Sequence, residues 1–221
     1  MKLVWSPETA SKAYIDTVQS CKLFKESGVA ELVSAMAAGW NARLVVETWS
    51  HGGAIATSVG LTVATHHTGG RHICIVPDEE SKTEYIAAMR NSGQLTVASD
   101  VVVGSPEEAV EEWEGIDFLV VDCRRNDFAR ILRGAKLGHR GAVLICKNAS
   151  SRAASDFRWR SVLDGRSRIV RSVFLPVGKG LDMAHVGARG GGGGGESGKD
   201  RRRRWIKYID EQTGEWFFIR K

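Results

Sequence analysis

The sequence predicts an α/β three-layer sandwich, a mostly parallel sheet that ends in a C-terminal antiparallel hairpin. Three observations carry this reading. Residues 116–148 read as strand, helix, strand: Ile116 to Asp122 is an apolar run, Phe128, Ile131, Leu132 and Ala135 recur at helical spacing, and Ala142 to Cys146 is a second apolar run. A strand that returns through a helix to a second strand implies a right-handed parallel crossover with both strands buried. Upstream, strand and helix patterns alternate, and downstream two strand-like runs flank Gly178-Lys179-Gly180, a hairpin signal.

Taken in order, Ser6-Pro7-Glu8 offers an N-cap, a proline for the first helical position and a first-turn acid. The helix they open is expected to bury Ala10, Tyr14, Val18 and Cys21. A second helix over Val29 to Trp40 carries an apolar stripe of Val29, Leu32, Val33, Met36, Ala37 and Trp40. Arg43 to Glu47 is a first strand, running through Thr48-Trp49-Ser50-His51-Gly52-Gly53 into a small-residue helix from Ala54 to Ala64. A strand, a glycine turn and a helix in that order form a candidate phosphate or nucleotide cradle. His72 to Val76 is the second strand. Ser81 to Glu84 reads as a capping box opening a helix with Tyr85, Ala88 and Met89 inward, and Leu95 to Val103 as a third strand with a break near Ser99-Asp100. Ser105 to Glu108 reads as another capping box, for a helix carrying Ala109, Val110 and Trp113. Gly138 is the expected stop of the helix within 116–148. Ser151 to Leu163 reads as a last helix, and Arg168 to Val177 with Leu181 to Val186 as the hairpin strands.

Residues 1–187 are expected to form the main domain, 188–200 a flexible linker containing the glycine run 190–195, and 201–221 a basic, aromatic β-hairpin tail. The net charge of +5 is unevenly placed, with Arg201 to Arg204 consecutive. With Lys199, Trp205, Lys207 and Tyr208, that run is either a solvated segment or a nucleic-acid contact or nuclear address. No segment has the apolar length to span a bilayer and none resembles a signal peptide, so a soluble intracellular protein without membrane contact is expected, cytoplasmic unless the arginines direct it to the nucleus. The cysteines at 21, 74, 123 and 146 fit no zinc spacing and read as buried thiols.

Three segments, 116–122 (IDFLVVD), 140–148 (RGAVLICKN) and 172–184 (SVFLPVGKGLDMA), are similar to the fourth-strand, fifth-strand and final-hairpin motifs of one family, in the family's order and spacing. Through them residues 6–187 resemble the class I S-adenosylmethionine methyltransferases, which have a Rossmann-like fold, and more narrowly the catechol and caffeoyl-CoA O-methyltransferase branch. The full chain, tail included, also resembles a plant family of methyltransferase-like proteins. The resemblance implies S-adenosylmethionine as cofactor, in a cradle of Glu47, Trp49, His51, Gly52, Gly53, Asp78, Gly104, Ser105 and Asp122. Two departures stand out. Trp49 replaces the first glycine of the turn, as either a pocket plug or a wall for a different ligand. Val76 occupies the place of the ribose-binding acid, leaving Asp78 as its substitute.

On the catalytic side the resemblance places Asp122, Lys147 and Asn148 where the family holds a divalent metal. A lysine ammonium opposes Mg²⁺ by charge, so no metal is expected, and Lys147 is expected to pair with Asp122. Asp122 itself is either a ligand-binding residue or a cap for the following helix, and His51 is either a ligand contact or solvated. Arg125 stands near the family's general-base lysine but is a poor base. The implied function is a metal-independent, S-adenosylmethionine-dependent methyltransferase of O-methyltransferase type, acting on a small-molecule or protein acceptor. The alternative is a non-catalytic methyltransferase-fold scaffold or binding protein that uses its basic tail.

Overall fold

The computed structural model describes residues 4–22, 24, 28–93, 100–151, 154, 156–163, 168–188, 205–209 and 216–220. Met1–Gly190 form one compact unit and Gly191–Lys221 a second.

Helices α1 (Pro7–Ser20) and α2 (Val29–Gly39) precede strand β1 (Leu44–Thr48). α1 starts where Ser6, in extended backbone, accepts the N–H of Thr9. Its buried face is Ala10, Ala13 and Thr17, with Cys21 just past its end, whereas Tyr14 and Val18 are exposed. The expected stripe is thus rotated. Small side chains let α1 approach α2 closely, and the Thr17 hydroxyl donates to Ser34 of α2 at 2.8 Å.

The chain continues as α3 (Ala56–Thr68), β2 (Arg71–Val76), α4 (Glu79–Asn91) and β3 (Asp100–Val103). α4 begins ahead of the expected capping box, because the Asp78 carboxylate caps it by accepting the Ser81 N–H at 2.7 Å. Positions 95–99 of the expected third strand, including Ser99 of the break placed at Ser99-Asp100, lie outside the described residues. α5 (Pro106–Ala109) is one turn that passes into a 3-10 turn at Val110–Glu112, so Trp113 sits in extended backbone and not on a helix. β4 (Glu114–Ile116), β5 (Phe118–Asp122), α6 (Phe128–Gly134), β6 (Lys136–Leu137) and β7 (Ala142–Lys147) follow. α6 stops at Gly134, before Gly138, because β6 leaves it to pair with β4, and the Gly138 N–H donates to Ile116 instead. Within 151–163, α7 (Trp159–Val162) is the α-helix among the described residues. β8 (Ile169–Leu175) and β9 (Leu181–Val186) complete the first unit. In the second, β10 (Trp205–Ile209) pairs antiparallel with β11 (Trp216–Arg220). The glycine run 190–195 and Arg201 to Arg204 lie outside the described residues.

The main sheet has seven strands in the order β3-β2-β1-β5-β7-β9-β8, parallel except for β9, which is antiparallel to both neighbours. This is the predicted α/β sandwich. Strand order runs outward in both directions from the β1/β5 pair, and ligands of open α/β sheets bind beyond the carboxyl ends at such a switch point. Alternate residues serve opposite layers. Val45, Val120, Val143 and Ile145 pack with α2 and α3, whereas Val46, Leu119, Val121 and Leu144 pack with α5, α6 and α7. Buried Asp117 ties three segments together: its carboxylate accepts the Arg43 N–H at 2.9 Å and the Arg140 guanidinium at 2.7 Å, fixing the entries to β1, β5 and β7.

Replacing Asp117→Ala leaves a largely buried guanidinium and a backbone N–H without their acceptor. The expected loss is about 3–5 kcal/mol of unfolding free energy, read from urea melts. A loss within ~0.5 kcal/mol, the range of an ordinary surface change, overturns this assignment.

Candidate functional site

A cleft of ≈ 620 Å³ opens at the C-terminal ends of β5 and β7, bordered by the loop after β1 and the turn between β8 and β9. Asp122, Arg124, Lys147, Asn148, Thr57 and Lys179 are among its lining residues. Asp122 ends β5 with its carboxylate turned into a dense set of donors. The Arg124 backbone N–H donates to Oδ1 at 2.9 Å, its Nε reaches both oxygens at 3.1 Å, and its Nη2 reaches Oδ2 at 2.6 Å. Asn148 Nδ2 adds a bond to Oδ1 at 2.9 Å. Burial pushes the Asp122 carboxyl up, but Arg124, Asn148 and the Lys147 charge outweigh it and hold it below the usual carboxylate range. Asn148 adopts φ 57°, a left-handed conformation that asparagine tolerates better than most residues, and this aims its amide at Asp122.

The expected Asp122–Lys147 pair does not form. The two are cross-strand partners of β5 and β7, yet the carboxylate is taken by Arg124, whose planar fork binds both oxygens from within the same turn. Lys147 is 6% exposed and lines the cleft, and its ammonium makes no hydrogen bond or ion pair among the described residues. Arg125, the neighbouring candidate, instead pairs with Asp127.

The other expected cradle residues are arranged differently. Glu47 is fully buried, 3.0 Å from His72 Nε2, and accepts the Tyr85 hydroxyl at 3.3 Å. Burial pushes its carboxyl up, and His72 with Lys147 more than offsets this, so it stays ionised below the usual range. Trp49 is 3% exposed and packs edge-on against Tyr85, in a cluster with Ala56, Val59 and Val76. A Cβ on Gly53 would lie 2.7 Å from the Trp49 Nε1, so this glycine makes room for the chain's own indole. His51 pairs with Glu84 of α4, whose carboxylate also accepts the Gly52 N–H at 3.3 Å. Asp78 is occupied as the cap of α4. Gly104 donates its N–H to Val76 at 2.9 Å, and Ser105 flanks α5 without a side-chain cap bond. The cleft therefore gathers Gly52, Asp122, Lys147 and Asn148 but not Glu47, Trp49, His51, Gly53, Asp78, Gly104 or Ser105.

Sequence reading missed Arg124 and Lys179 as cleft residues. For Arg124 the signal was an Asp followed two residues on by Arg at a strand end, a local turn that brings guanidinium back onto carboxylate. Lys179 was read only as turn filler. Its position is set by two backbone bonds, Ala149 N–H to Gly180 and Ser150 N–H to Lys179, both at 3.0 Å.

These residues do not fit the implied groups. The adenosyl half of an S-adenosylmethionine site needs an open glycine turn and a free acid at the end of β2, and here an indole fills the first while the second is spent on a helix cap. For a divalent cation, Lys147 sets an ammonium on the strand beside Asp122, and Asp122 is already chelated by Arg124 and bonded to Asn148. Among the described residues no group of three or more His, Cys, Asp or Glu could hold a metal.

The architecture resembles that of several methyltransferases of known structure. It is similar to a methyltransferase from Geobacter sulfurreducens (TM-score 0.56, 21% identity, covering 80% of this chain and 88% of that one). It is also similar to the SAH-bound methyltransferase PaMTH1 of Podospora anserina (TM-score 0.57, 12% identity, covering 82% and 89%). An O-methyltransferase from Bacillus cereus in complex with SAH is a third relative in structure (TM-score 0.53, 15% identity, covering 83% and 93%). At these identities the likeness is one of fold. No curated protein matches the sequence. Over residues 1–221 the chain matches the family described as "Protein of unknown function (DUF1442)", and it belongs to that family.

Asp122 yields a pH test. Its folded pKa lies below the unfolded value of about 3.9, so its stabilisation is complete above that pH and is lost as pH falls through the folded value. Asp122→Asn is expected to cost about 1.5–3 kcal/mol near neutral pH, with the difference from the native chain narrowing in acid. Urea melts at a series of pH values check this, and a difference independent of pH contradicts it.

Proposed function

We propose that this protein is a methyltransferase-fold binding protein, in which the adenosyl half of the ancestral cleft is closed by the chain's own side chains and the acceptor half takes a small ligand. The observation that carries this reading is the burial of Trp49 against Tyr85, with Gly53 fitted beneath the indole. The His51–Glu84 pair and the use of Asp78 as a cap support it, since each removes a group that the cofactor would need. The open half keeps a polar floor, with Asp122 and Asn148 held rigidly and Lys147 left to meet a ligand.

A second reading is a metal-independent, S-adenosylmethionine-dependent O-methyltransferase with a small-molecule or protein acceptor. It is favoured by the SAH-bound proteins that share the fold and by Asp122 and Asn148 lining the cleft. In that reading catalysis would rest on holding the two reactants in line, without a metal to activate the acceptor. The basic tail is a separate proposed contact, for nucleic acid.

Titration of the full chain with S-adenosylhomocysteine by calorimetry separates the two. No binding by the native protein at ~1 mM, a limit of about −4 kcal/mol, is expected, with binding gained in Trp49→Gly. Micromolar binding by the native protein contradicts the closed-site reading and supports the enzyme. For the tail, deletion of residues 190–221 is expected to abolish salt-sensitive binding of a single-stranded RNA probe. Equal binding by the truncated and full chains would remove the tail contact.

A further inference from the structure

We infer that the cleft is a carboxylate-binding site centred on Lys147. The inference rests on the binding-protein reading above and names the chemistry of its ligand.

The geometry begins with the lysine. Lys147 ends β7, is 6% exposed, and lines the cleft without a hydrogen-bond or ion-pair partner among the described residues. An ammonium carries three donors, and leaving them unmet in a partly dry cleft is costly unless a ligand accepts from them. Neither nearby acid bonds to it: Asp122 is held by Arg124 and Asn148, and Glu47 Oε1 by Tyr85 and His72, and Lys147 acts on both only through its field.

Two helices point the same way. Val29, the first residue of α2, and Thr57, in the first turn of α3, both line the cleft. α2 has 11 residues and α3 has 13, and neither N-terminus has a side-chain cap among the described residues. Uncapped N-termini present unpaired N–H groups and the positive ends of their dipoles, which favour an anion. Lys179 adds an exposed cation at the rim. Across from these stands Asp122, neutralised by its own arginine.

Charge decides between anions. Asp122 is balanced by Arg124, so the buried floor of the cleft offers one full positive charge, that of Lys147, without an ion-pair partner among the described residues. A dianionic phosphate would leave one of its charges without a buried counter-charge there, whereas a single carboxylate is matched by one ammonium and the helix ends. The site therefore suits a small monocarboxylate, with the remaining body of the ligand in the ≈ 620 Å³ cleft.

The test is an NMR titration of the ¹⁵N-labelled full chain with benzoate, with benzamide as its uncharged counterpart and with inorganic phosphate. Benzoate is expected to shift amides of the α3 N-terminus and of Lys179, and to bind at least about tenfold more tightly than benzamide and more tightly than phosphate. Lys147→Met should weaken benzoate by about tenfold or more while leaving benzamide unchanged, and Lys147→Arg should retain most of the affinity. Equal binding of benzoate and benzamide, an unaffected Lys147→Met, tighter binding of phosphate, or no benzoate binding at tens of millimolar each overturns the inference. If Lys147→Met does not fold, the comparison of benzoate with benzamide on the native chain decides. Repeating the titration with S-adenosylhomocysteine present keeps the two proposals apart. Binding of that nucleoside by the native chain ends the closed-site reading, while the dependence on the ligand's charge and on Lys147 is judged separately.

Discussion

An ionised carboxylate without solvent, Glu47, sets the terms for this end of the molecule. A buried charge survives only if other groups replace its lost water. Here they come from three elements: His72 of β2, the Tyr85 hydroxyl of α4, and the field of Lys147 on β7. His72 is itself bonded through Nδ1 to Thr62 of α3 at 3.1 Å. Meeting the needs of Glu47 brings Tyr85 in over the end of β1, and Tyr85 then supplies the edge against which Trp49 packs. The packing of Trp49 at this end of the sheet is thus tied to how one acid is kept satisfied.

That chain of dependence explains why the same glycine turn can carry opposite meanings. In a nucleotide-binding loop a glycine lets a ligand approach the backbone. Gly53 allows an equally close approach, but the visitor is the indole four residues earlier. The His51–Glu84 pair and the Gly52 bond to the same carboxylate then hold the loop on α4. What remains open lies on the other side of the switch point, where Asp122, Arg124 and Asn148 form a self-neutralised group and Lys147 does not.

Much of the fold was legible because its strands are buried on both faces and so read as unbroken apolar runs, as in Phe118–Asp122 and Ala142–Lys147. Hydrophobicity misjudged α1, whose contact face is built from Ala10, Ala13 and Thr17 while Tyr14 and Val18 face out, because close helix packing selects for small size and not for apolar bulk. Caps were misplaced where two acceptors competed, as Asp78 did with Ser81. Of the expected site residues the cleft gathers Gly52, Asp122, Lys147 and Asn148, and their contacts were not legible. Asp122 and Lys147 were placed side by side correctly, but which cation the carboxylate takes depends on side-chain reach within one turn. No spacing rule reveals that Arg124 wins.

The turn between β8 and β9 is fastened to the loop after β7 by two backbone bonds, and Gly180 fits there because a side chain would strike Ser150 and Phe174. One wall of the cleft is therefore a short strip clipped to the sheet at its ends, while the floor belongs to the sheet itself. Exchanging the residue at Lys179 alters the mouth without disturbing a strand or the buried acid beneath. The chemistry of the rim can change while the foundation stays fixed.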